Sequence, residues 1–166
     1  LEARRLLGYI PDRPFFYEKL TAREYVTLVA NIYGVSESDR IERLSALAKR
    51  FAIDARLDEM VESYSHGMRQ KLAFCATFVH APKLVLIDEP WVGLDPRANR
   101  SLIEFLREQC ATGTTLVVST HTLALAQEIS HRAAIIDHGK LIANGTIKEL
   151  LETPGSQSLE DVFLSL

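Results

Sequence analysis

Two adjacent carboxylates, Asp88 and Glu89, come directly after the apolar run Leu84-Val85-Leu86-Ile87 and precede Pro90. Four apolar residues between Lys83 and Asp88 predict a strand buried on both faces of a parallel sheet. Such a strand delivers the residues after it to the C-terminal edge of the sheet, where open α/β sheets bind ligands. Carboxylates placed there side by side can divide labour: one holds Mg2+, a hard cation that favours oxygen, and the other polarises an attacking water. Taken alone, the pair fits two solvated acids at a strand end equally well.

Three other groups have spacings that could act with it. Ser65-His66-Gly67 opens a helix whose Met68, Leu72, Cys75, Ala76 and Val79 fall on one stripe, with Arg69, Gln70 and Lys71 at polar positions and an end before Pro82. Backbone N–H groups at its start and the positive end of its macrodipole make an anion site, while simple capping is the other use of Ser65. Asp95-Pro96 supplies an N-cap and a first-turn proline for a helix to about Cys110. His121 comes after a second apolar strand, Thr114 to Ser119, which the pattern reads as buried. His80, His131 and His138 have no comparable context.

The elements that must hold these groups alternate. Leu6 to Ile10 reads as a strand that leaves into a loop at Pro11 and Pro14. Thr21 with Glu24 is a capping box for a helix that runs to Tyr33 and stops at Gly34. Ser36 with Asp39 starts another, with Ile41, Leu44, Leu47, Ala48 and Phe51 on one face. After His121 a helix extends to about Ser130, Ala133 to Ile136 is a third strand after those at 84–87 and 114–119, and residues 135–142 form an antiparallel hairpin about a Gly turn. Thr146 with Glu149 and Ser158 with Asp161 imply two short helices around a Pro154-Gly155 break. Strands alternating with helices predict an α/β fold.

Composition bounds the partners. The 166 residues are 47% hydrophobic with a formal net charge of -3, so there is a core to bury and no bulk positive field for nucleic acid or anionic lipid. No apolar run approaches the ~20 residues of a spanning helix. Cys75 and Cys110 lack the spacing of a zinc site or a disulfide framework, which favours a reducing setting.

In order along the chain, Tyr64-Ser65-His66-Gly67-Met68-Arg69-Gln70-Lys71, Asp88-Glu89-Pro90, Gly93-Leu94-Asp95-Pro96 and Ser119-Thr120-His121 resemble the signature, Walker B, D-loop and switch-histidine series of ABC-type ATPases. The resemblance covers essentially the whole chain. It implies a P-loop NTPase of ABC type with a partial RecA-like sheet and an inserted helical subdomain. The divisions are 1–14 (core strand and Q-loop-like segment), 15–79 (helical subdomain), 80–153 (RecA-like core) and 154–166 (C-terminal helix). The cofactors implied are ATP and Mg2+. Glu89 would orient the attacking water, Asp88 would hold Mg2+ through water, and His121 would contact the γ-phosphate. Ser65 and Gly67 would grip ATP bound to a second ATPase subunit, with Asp95 coupling the two sites. Asp12 stands where the family has a glutamine that meets the metal. His66 replaces a glycine. The implied partners are that second subunit and transmembrane permease subunits, whose coupling helices dock on the helical subdomain at the cytoplasmic face of the cell membrane. The Pro11-Asp12-Arg13-Pro14 loop and the Leu159-Glu160-Asp161-Val162-Phe163 ending resemble ABC-2-type exporters.

No Gly-x-x-x-x-Gly-Lys-Ser/Thr phosphate loop occurs in the sequence. In the family that loop precedes the Q-loop, so the expectation is the C-terminal part of an ATPase subunit, inactive alone and less stable than a complete domain. A non-catalytic docking or assembly fragment is the alternative. A DNA-repair or chromosome-type ATPase is disfavoured by the absence of a long coiled coil, paired zinc cysteines and basic charge.

Overall fold

The computed structural model describes residues 2–152 and 155–165, which divide into two compact units, Leu1–Ser119 and Thr120–Leu166.

The first unit begins with a short helix, α1 (Glu2–Arg5), which the sequence did not signal, and the strand β1 (Leu7–Ile10). Helix α2 (Ala22–Tyr33) starts at the expected capping box: Thr21 accepts from the Glu24 N–H and Glu24 accepts from the Thr21 N–H. It stops at Gly34. Helix α3 (Glu37–Arg50) is capped by Ser36 and buries Leu44, Leu47 and Ala48; Phe51, just beyond its end, is buried too. Ile41, expected on the same face, is instead 58% exposed, beside the open cleft that α2 and α3 leave between them. Two 3-10 turns, Asp54–Arg56 and Val61–Ser63, come next without any periodic signal.

Helix α4 (His66–Phe78) packs on α2, α3 and β1 and buries Gln70, Leu72 to Ala76 and Phe78. Of the three polar positions expected on it, Arg69 and Lys71 are half-buried but Gln70 is enclosed and 1% exposed, while Met68, expected on the apolar stripe, is only half-buried. Helix α5 (Pro96–Ala111) has Asp95 as N-cap and Pro96 in its first turn, as the residues predict. Phe51, Phe74, Phe78 and Phe105 join α3, α4 and α5 through ring contacts, with centroids 4.8 Å apart for Phe78–Phe105 and 5.1 Å for Phe51–Phe105. Edge-to-face pairs of this kind add to the burial of large apolar surfaces.

The sheet is parallel in the order β1-β2-β3, with β2 (Leu84–Asp88) between β1 and β3 (Thr115–Ser119). Its strands are less buried than the apolar runs imply. β2 buries Val85 and Ile87 but leaves Leu84 and Leu86 half-covered on its other face, and β3 is an edge strand with Val117 54% exposed. An apolar run reports hydrophobicity on both faces, but coverage depends on the layers packed there.

The second unit contains α6 (Leu123–Ile129), the hairpin of β4 (Arg132–Asp137) and β5 (Lys140–Thr146), α7 (Ile147–Leu151) and α8 (Leu159–Ser165). β4 does not extend the parallel sheet; it pairs antiparallel with β5, as the hairpin reading of 135–142 requires. The Thr146–Glu149 capping box is present, and Ser158 and Asp161 bond reciprocally at the start of α8. Pro154 of the expected break and Leu166 of the expected terminal helix lie outside the described residues. Ile135, Leu150, Leu159 and Val162 form the unit's small core.

Candidate functional site

Register fixes the candidate edge. β1 pairs with β2 from Leu7–Leu84 to Ile10–Ile87, and β2 pairs with β3 through Asp88–Ser119. The chain therefore leaves all three strands at one C-terminal edge. Asp12 lies two residues beyond β1, half-buried, with an exposed Arg13 guanidinium 3.8 Å from its carboxylate.

Asp88 closes β2, and its Oδ1 accepts a hydrogen bond from Ser119 Oγ. Glu89 comes next with φ of 44°, in the left-handed region, and its N–H donates to the Ser119 carbonyl at 3.0 Å. That conformation costs a non-glycine residue about 1–2 kcal/mol. It turns the chain out of the strand at Glu89, so Asp88 and Glu89 do not keep the alternation of an extended strand.

The loop beyond is anchored by Pro90 and Trp91, both buried. It then meets the start of α4. Gly93 has φ of 78°, and a Cβ built on it would collide with the His66 imidazole. A Cβ on Gly67 would lie 2.9 Å from the Gly93 carbonyl oxygen. Backbone thus rests on backbone at Gly67–Gly93, a closeness that only glycine permits. Ser65 caps α4 loosely, Oγ accepting from the Met68 N–H at 3.4 Å. Asp95 caps α5 more tightly: Oδ1 accepts from the N–H groups of Arg97 at 2.9 Å and Ala98 at 3.0 Å. The Ala98 N–H holds the Asp95 carboxyl below the usual carboxylate range, helped by the Arg97 N–H and by the charges of Lys71 and Arg97. His121 is exposed and belongs to the second unit, two residues after Ser119 in sequence.

The structure thus brings Asp88, Glu89 and Ser119 together on the sheet edge, and sets the α4 start against the loop that leads to Asp95. The sequence of this chain is similar to those of ABC transporter ATP-binding proteins. The YthP protein of Bacillus subtilis, an uncharacterized ABC transporter ATP-binding protein, is 35% identical over 94% of this chain and 67% of that protein. The ABC-type transporter ATP-binding protein EcsA of the same organism is 38% identical over 98% of the chain and 67% of its own length. This chain belongs to the ABC transporter ATP-binding family. A solved structure described as "Structure of ATP binding subunit of ABC transporter" superposes with a TM-score of 0.91 at 36% identity, covering 98% of this chain and 68% of that one. The family model "AAA domain, putative AbiEii toxin, Type IV TA system" matches residues 27–126. The daunorubicin/doxorubicin resistance ATP-binding protein DrrA of Streptomyces peucetius is 36% identical over 86% of this chain and 43% of its own length. The fold is accordingly that of a P-loop NTPase of ABC type.

ABC ATP-binding proteins bind nucleotide, typically with Mg2+. Among the described residues no three His, Cys, Asp or Glu side chains gather as a metal cage. The donor chemistry at the edge, one carboxylate oriented by a serine hydroxyl, fits Mg2+, which takes one or two carboxylates and completes its shell with water and phosphate. No helix among the described residues is long and apolar enough to cross a membrane. Sequence reasoning placed the two carboxylates but gave no role to Ser119, whose pairing with Asp88 is signalled only by a polar residue closing the next strand. It also missed the close approach of Gly67 and Gly93, which two glycines at the start of adjacent motifs hint at.

Proposed function

We propose that this chain carries the Walker B, D-loop and signature groups of an Mg-ATP-hydrolysing ABC subunit that powers an exporter. The observation that supports it most is Glu89, turned out of the sheet edge in left-handed backbone immediately after an Asp88 that Ser119 orients. A carboxylate turned out there can accept a proton from water aimed at a phosphate, the alignment on which in-line phosphoryl transfer depends. Mg2+, when bound with ATP, neutralises phosphate charge. Asp88 would hold that ion, and Asp12 is a second candidate ligand. Ser65, Gly67 and the first N–H groups of α4 face the γ-phosphate of ATP held by a second ATPase subunit. Asp95 couples the paired sites, and His121 contacts the γ-phosphate.

The sequence contains no phosphate loop of the Gly-x-x-x-x-Gly-Lys-Ser/Thr kind. In this reading that loop comes from outside these 166 residues, and the permease partner is a pair of transmembrane subunits. The exporter assignment draws on similarity to DrrA, whose name describes drug resistance.

The test joins a phosphate-loop segment of an ABC ATPase to the amino end of the chain and measures Mg-ATP turnover. Glu89→Gln is expected to lower turnover by ~10²–10⁴-fold, the scale of general-base catalysis, with nucleotide binding retained. Unchanged turnover in that variant removes Glu89 from the role.

A further inference from the structure

Away from the sheet edge, the first unit holds a cleft of about 310 Å3 between the end of α3, the middle of α4 and the start of α5. That is at the lower end of the ~300–1,000 Å3 of small-molecule sites. Ala52, Leu94 and Ala98 are the apolar lining that solvent reaches, while Phe51, Phe74 and Leu102, which also line it, are 5% exposed or less. Its rim is charged. Lys71 and Arg97 line it, and neither side chain hydrogen-bonds or ion-pairs with another described residue. Arg50, a third cation there, is already engaged by Glu108 at 2.9 Å and Glu104 at 3.8 Å. Asp95 is the carboxylate on the rim, and its Oδ1 already accepts the two N–H groups of α5.

Two cations without a hydrogen bond or ion pair, both acting on the single Asp95 carboxylate, leave the rim positive, above a floor of small aliphatic side chains. Amphipathic anions match that division: the apolar body leaves water against the floor, and the charge stays at the exposed rim. We infer that the cleft binds a small aromatic acid, its ring against Ala52, Leu94 and Ala98 and its anionic group at Lys71 and Arg97. A ligand seated there touches α4 and the start of α5 at once, and so restrains the elements that carry Ser65 and Asp95. Any effect on turnover rests on the proposed ATPase activity; the binding does not.

The probe is 2-naphthoate, titrated into the 166-residue chain and monitored by calorimetry and two-dimensional NMR. Saturable binding is expected, with shift changes at Ala52, Leu94 and Ala98. Neutralising both cations in Lys71→Gln/Arg97→Gln is expected to weaken it at least tenfold, and the neutral analogue 2-naphthamide to bind at least tenfold more weakly. Lys140→Gln, in the second unit, should leave the affinity unchanged. Equal affinity for acid and amide, an unaltered double variant, or no saturation at millimolar probe would each overturn the inference. Because no nucleotide enters the experiment, its failure is separate from failure of the proposed ATPase activity.

Discussion

Where α3, α4 and α5 meet, four phenylalanine rings hold one another by contact on several sides, whereas Asp88, Glu89 and Ser119 are aligned by strand register, with the Glu89 N–H on the Ser119 carbonyl and the Ser119 hydroxyl on Asp88. The first arrangement is redundant in contacts and tolerant in direction; the second is polar and strict in direction. Stability should therefore concentrate in the phenylalanine cluster, and chemistry should depend on the sheet edge with little effect on stability.

The largest effect expected is on the cluster. Phe74→Ala deletes a ring that is 1% exposed and contacts Phe51 and Phe78, and should cost about 3–5 kcal/mol in urea unfolding. A loss below about 1 kcal/mol would show that the cluster is not where stability resides. Next comes the loop between the two regions: Asp95→Ala removes the acceptor of two N–H groups and should cost about 0.5–2 kcal/mol, while Asn retains most of it. Glu89→Gly should change stability the other way, by up to about 1 kcal/mol, because glycine accepts left-handed backbone without a Cβ clash. A lowered unfolding midpoint would mean that the Glu89 side chain contributes more than its backbone costs, which would erase the contrast.

The smallest expected effect is a pH dependence at a third place. His80 stacks on Tyr33 with ring centroids 3.7 Å apart, its Nε2 meets the Leu7 carbonyl at 3.3 Å, and Arg43 reaches the neighbouring Val79 carbonyl. Burial pushes its pKa below the ordinary 6.5; the Leu7 carbonyl opposes this and Arg43 adds to it. With the folded value depressed, the unfolded chain binds the proton more readily below pH 6.5. Stability is thus full above that pH and declines as pH falls through the folded value. His80→Gln should flatten the part of the stability profile between pH 7 and 5.5; an identical slope would assign it to other groups.

The caps were legible because their chemistry is local: Thr21 with Glu24, Asp95 with Pro96 and Thr146 with Glu149 each define a helix start within four residues. The two carboxylates were legible for a similar reason, an apolar run that ends on them. The features that escaped depend on neighbours distant in sequence. Ile41 lies on the apolar stripe of α3 but faces a cleft, Gln70 has a polar side chain but is enclosed by other elements, and β3 has a buried strand's composition at an edge. The left-handed turn at Glu89 escaped as well, since glutamate has no preference for it; it occurs where the Glu89 N–H bonds the Ser119 carbonyl across the strand pair.

The pairing of Leu7–Ile10 with Leu84–Ile87 has a consequence for synthesis. On a ribosome adding about 5–20 residues per second, the first strand waits roughly 4–16 s for its neighbour to be made. In that interval α2 and α3, closed by their own capping residues, can form beside it. The nascent chain then carries an unpaired strand edge next to a folded helical pair, which is a window for chaperone contact or for capture by another nascent copy.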